Sequence, residues 1–156
     1  MFTYHNTIEH AGLVDSEELA RSLAEQFMKV RARNVQVNST RVTFRGGVFR
    51  AVSNLNILTP FDTCELHIDP TSRHVSYRLS YKGLIVVASL MILLMTGFLA
   101  SHEALREEMW AFPLIVWAWV VGGNLLVGIP RFRNFLKDST DKAVRQLSTK
   151  TTSRTD

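Results

Sequence analysis

The chain lacks most of what would mark it as an enzyme or a secreted protein. One cysteine, Cys64, stands in 156 residues, so an intrachain disulfide is excluded. Nucleotide and catalytic signatures are missing: there is no GxxxxGK[ST], no GxGxxG, no HExxH and no GxSxG. Gly46-Gly47 is too short for a phosphate loop. No internal repeat is present. The opening residues, Met1-Phe2-Thr3-Tyr4-His5, match neither a signal peptide nor an Arg-rich transit peptide, and the first long apolar run begins only at Gly83.

Charge is also absent where it matters. Gly83–Ser101 and Ala111–Ile129 are each 19 residues without Asp, Glu, Lys, Arg or His. At 1.5 Å per residue each makes a helix of about 28 Å, close to the ~30 Å hydrocarbon core of a bilayer. Neither has the polar stripe of a surface helix in a small soluble domain. The mean hydropathy of +0.04 therefore hides a division of the chain. We read residues 1–82 as a soluble domain, 83–129 as a transmembrane helical hairpin with loop 102–110, and 130–156 as a basic tail.

The net charge of +4 is distributed unevenly. The loop 102–110 carries one basic and three acidic residues, and the tail 130–156 carries seven basic and three acidic. Lys82 flanks the first span; Arg131, Arg133 and Lys137 follow the second. The positive-inside rule then places both termini in the cytoplasm and the loop outside, with the inner (plasma) membrane as the expected location. Tyr81 and Trp110 stand at span boundaries, where aromatic rings favour the interface. Within the spans Asn124 is costly in lipid. Gly122, Gly123 and Gly128 surround it, and small residues let helices approach. Ser89 lies at similar depth when each span is counted from its cytoplasmic end. We expect Ser89, Asn124, Gly123 and Gly128 to form the helix-packing contact, with self-association as a second use.

The soluble part begins with a helix signal. Asp15 is a good N-cap, with Glu18 three residues later. Leu19, Ala20, Leu23, Ala24, Phe27 and Val30 keep helical spacing, which predicts a helix over 16–31. Alternation of period two follows: Val35 and Val37; Val42 and Phe44; a run Val48–Val52; Cys64, Leu66 and Ile68; Val75, Tyr77 and Leu79. One helix and about five strands give a small two-layer α+β domain with a meander sheet. No Pro/Gly/Ser linker separates Arg78 from Gly83, so the domain sits close to the bilayer. Leu55, Ile57, Leu58 and Phe61 fit neither period and suit an open sheet edge or the lipid surface. In the tail, Phe132, Leu136, Ala143 and Leu147 line one side of a helix. Arg131, Arg133, Lys137, Lys142 and Arg145 surround them and suit anionic headgroups or a partner, although the same helix can pack on the domain. Residues 148–156 read as disordered.

For chemistry, Cys64 falls on the inward side of its strand and reads as core. His5, Glu9 and His10 do not align on one helix face. The last hairpin is more informative. Pairing Ile68 with Val75 and Leu66 with Tyr77 sets Glu65 opposite Arg78 and Asp69 opposite His74. His67 is then diagonal to His74, about 7 Å away at the β-carbons. His67, Asp69 and His74 are a candidate metal set. The Arg31, Arg33, Arg41, Arg45 and Arg50 run lacks the aromatic interleaving of a nucleic-acid surface, so headgroups or an acidic partner are the expected match. No cofactor is expected. The leading expectation is a non-enzymatic membrane-anchored adaptor or accessory subunit, which binds the bilayer and another membrane protein or itself. The alternatives are a metal-dependent enzyme or sensor on the outer sheet face, and a subunit of an oligomeric channel or transporter.

Overall fold

A computed structural model describes residues 2–10, 14–46, 58, 60–101 and 111–152. The expected strand at Val48–Val52, the loop 102–110 and the last four residues lie outside them. The architecture is α+β. Five strands, β1 (Thr3–Glu9), β2 (Arg33–Asn38), β3 (Arg41–Arg45), β4 (Thr63–Ile68) and β5 (His74–Ser80), form one antiparallel sheet in the order β1-β5-β4-β3-β2. The helices are α1 (Ser16–Lys29), α2 (Lys82–Ala100) and α3 (Phe112–Thr152).

Strands β2 to β5 run as a meander in which β3 pairs directly with β4, without the strand expected at Val48–Val52 between them. Strand β1 was not legible, because polar Asn6 interrupts the alternation of Tyr4 and Ile8. It pairs with β5 along its full length, Thr3 with Ser80 through Glu9 with His74. The expected register of the last hairpin holds: Glu65 faces Arg78, Leu66 faces Tyr77 and Ile68 faces Val75.

Helix α1 starts where its sequence directs. The Asp15 carboxylate accepts the Glu17 N–H at 3.0 Å. Such a cap contributes about 1 kcal/mol. Leu19, Leu23 and Phe27 are fully buried, and α1 packs over β2 and β3. Phe27 stacks on Phe44 with ring centroids 4.2 Å apart.

The other half of the sheet is covered by the C-terminal part of α3, which joins the domain core. Phe132, Leu136 and Ala143 are fully buried, and Val144 nearly so. Phe132 sits 5.5 Å from the Tyr77 ring, 5.6 Å from Phe61 and 6.3 Å from Phe27. Tyr77 therefore lies under α3. The span and the tail read from sequence are one helix, continuous through Pro130. Leu58 and Phe61 are also core residues, not a lipid contact.

Two glycines make this packing possible. A Cβ at Gly46 would collide with the carbonyl oxygens of Phe61 and Leu58. A Cβ at Gly128 would lie 2.7 Å from Cγ of Pro60. The loop before β4 thus closes on both β3 and α3.

The first part of α3 is long and apolar enough to cross a membrane; α2 is a shorter apolar helix. It follows β5 almost without a break, and the Asp62 carboxylate caps its first turn by accepting the Gly83 N–H at 2.7 Å.

Candidate functional site: the outer face of the sheet

Alternation along the strands sends Phe44, Cys64, Leu66, Tyr77 and Leu79 inward and their neighbours outward. No helix among the described residues covers the outward side. Its composition follows row by row from the register. The row nearest α2 reads Thr3, Ser80, Thr63, Arg45, with Arg33 the Cα partner of Arg45 beyond a register shift in β2. The second reads His5, Arg78, Glu65, Thr43, Gln36, and the third Thr7, Ser76, His67, Arg41, Asn38. Glu9 and His74 close the far end.

Glu65 accepts from Arg41 Nε at 3.0 Å, tying β3 to β4. The pair is partly exposed, so its contribution is about 0.2–1 kcal/mol. Two shallow clefts open on this face. One of about 420 Å³ is lined by Asn34, Gln36, Thr43, Arg45, Thr63 and Glu65. The other, about 250 Å³, is lined by Thr3, Thr63, Glu65, Arg78, Ser80 and Lys82. They meet at Thr63 and Glu65.

The metal set does not assemble. His67, Asp69 and His74 are near one another in register, but Asp69 uses both oxygens on its own turn. Oδ1 accepts from the Thr71 N–H at 2.9 Å and the Thr71 hydroxyl at 2.7 Å, and Oδ2 accepts from the Ser72 hydroxyl at 2.6 Å. These hydrogen bonds hold the Asp69 carboxyl well below the usual carboxylate range. His74 directs Nε2 toward Glu9, 3.9 Å away. Among the described residues, no three His, Cys, Asp or Glu side chains are grouped to hold a metal ion. The reason is local: Asp-Pro-Thr-Ser needs its carboxylate to close the turn. Cys64 is buried as expected, and burial pushes its thiol well up, away from the nucleophilic thiolate.

The helix-packing set is also rearranged. Ser89 accepts from Trp117 Nε1 at 3.3 Å, not from Asn124. Asn124 donates to the Val120 carbonyl one turn back in its own helix, at 2.6 Å, and its side chain is exposed. A Cβ at Gly123 would meet nothing within 4 Å, whereas Gly128 packs on Pro60 instead of on α2. In the tail, Arg131, Arg133, Lys137, Lys142 and Arg145 are all exposed, on the side of α3 away from the core.

Arg33 and Arg45 belong to the basic run legible in the sequence; their pairing across β2 and β3, next to Thr63 and Ser80, needs the sheet register to be seen. No protein family, characterised protein or solved structure matches this chain.

Proposed function

We propose that the chain is a two-pass membrane protein that presents a small binding domain at the cytoplasmic face, as a non-enzymatic adaptor or accessory subunit. The observation that carries this reading is the exposed apolar surface of the two long helices. Val86, Leu90, Met91, Leu93, Leu94 and Phe98 on α2 are exposed, as are Leu114, Ile115, Trp119, Leu126 and Val127 on α3. A soluble monomer rarely leaves a contiguous patch of this size in water. A bilayer covers it at no cost. The charge asymmetry read from the sequence supports an inward-facing domain.

Taken as an antiparallel hairpin, α2 and α3 have their stagger fixed by the Trp117–Ser89 contact. Lys82 lies seven residues from Ser89, and Asn124 lies seven from Trp117, each about 10 Å along its helix. Asn124 then stands near the level of Lys82. Lys142 lies 18 residues further, about 27 Å from that level. The tail cations beyond Lys137 are then too distant to serve as a lipid anchor.

Membrane fractions washed at high pH should retain the protein. A reporter after Thr149 should be cytoplasmic, and an Ala104→Cys variant should be labelled from outside. Release by the wash, or protection of Ala104→Cys from outside reagent, would overturn the reading.

A further inference from the structure

We propose that the first row of the outer sheet face binds the phosphate of an anionic phospholipid, in the leaflet that α2 enters. The inference rests on the membrane reading above. Its own basis is an electrostatic conflict in the sheet. Arg33 and Arg45 are Cα partners across β2 and β3, at the point where the β2 register shifts between Arg33 and Gln36. Like charges placed opposite each other destabilise a strand pair. Neither guanidinium makes an ion pair among the described residues, and both are exposed. The rest of the row holds only hydroxyls, Thr63, Ser80 and Thr3. Glu65, one row away, is committed to Arg41. An anion resolves the conflict, and guanidinium with hydroxyl donors is the chemistry that holds a phosphate.

Position selects the source. Ser80 is two residues from Lys82, where the membrane helix begins, and Lys82 lines the same cleft as Ser80 and Thr63. The row is therefore at the headgroup level of the adjoining leaflet, where phosphate is concentrated and fixed.

The test uses the full chain in phosphatidylcholine bilayers with and without phosphatidylglycerol, followed by native mass spectrometry of the lipid retained. Arg33→Gln and Arg45→Gln should each lower phosphatidylglycerol retention about five-fold, the worth of one surface cation beside an anionic leaflet. The pair Lys142→Gln with Arg145→Gln should leave retention unchanged, because both lie beyond a screening length from the surface. Equal retention by the Arg33 and Arg45 variants would overturn the assignment, as would loss in the tail pair alone. In a second arm, inorganic phosphate is added to protein in pure phosphatidylcholine. Arg45-dependent broadening of its phosphorus resonance, without retention of phosphatidylglycerol, would identify a soluble anion and refute the lipid source. A protein that never partitions into bilayers fails the membrane reading itself, whereas one that partitions but ignores phosphatidylglycerol fails this inference alone.

Discussion

Replacing Phe132 by alanine tests whether the C-terminal part of α3 is structural. Phe132 is fully buried and touches three aromatic rings from three parts of the chain: Phe27 of α1, Phe61 of the loop before β4 and Tyr77 of β5. Truncating such a phenylalanine costs about 3–5 kcal/mol. Domains of this size have about 5–15 kcal/mol in total. The chain carries its own reporter, since Cys64 is the single thiol and is only 2% exposed. A thiol reagent reaches it when the domain opens, so its labelling rate follows the opening equilibrium. A loss of 3–5 kcal/mol should raise that rate on the order of 10² to 10⁴-fold. Phe132→Leu, which keeps most of the volume, should give a smaller rise, and exposed Lys137→Gln none. If Phe132→Ala leaves labelling unchanged, the tail does not belong to the core and lies elsewhere, on lipid for instance.

The remaining predictions concern single contacts. Gly128→Ala should destabilise the domain by about 1–3 kcal/mol, because the proline ring facing it cannot yield easily. Gly122→Ala and Gly123→Ala have open space and should be neutral or gain up to about 1 kcal/mol of helix propensity; denaturant midpoints separate the two cases. Burial, with the Tyr4 hydroxyl nearby, pushes the Tyr77 phenol up to about 12. The unfolded phenol titrates near ~10, so this contribution is intact below that pH and is lost as pH rises through the folded value. Tyr77→Phe should flatten the alkaline end of the stability profile, and an unchanged profile would count against the assignment. Trp117→Phe should weaken the contact of α2 with α3 by about 0.6 kcal/mol, while Asn124→Leu should not; thermal unfolding in bilayers compares them.

What was legible and what was not divides along the range of the interactions. Helix α1 and strands β2 to β5 are set by local periodicity, by an N-cap and by turn chemistry, and each is written within a few residues. The hairpin register followed from keeping Leu66, Ile68 and Tyr77 dry, since a slip of one residue would turn all three outward. Strand β1 was lost because an edge strand with one buried residue, Ile8, has too weak an alternation to be read. The metal set failed for a reason the sequence contained: a carboxylate that starts an Asp-Pro-Thr-Ser turn is occupied by the turn.

The Ser89–Asn124 pairing failed for a reason the sequence did not contain. Matching depths counted each span from its own charged end, which treats the two helices as independent rods set by the bilayer. The domain overrides that count. Its core takes in α3 from Phe132 to Val144 and closes Pro60 on Gly128, which fixes how far α3 sits along α2. Residues that look like the cytoplasmic end of a span, Gly128 and Ile129, become part of the domain wall. Ser89 then meets Trp117 instead of Asn124. The polar residue that looked most costly in lipid is thus placed by an aromatic cluster of Phe27, Phe61, Tyr77 and Phe132, none of which adjoins it in sequence.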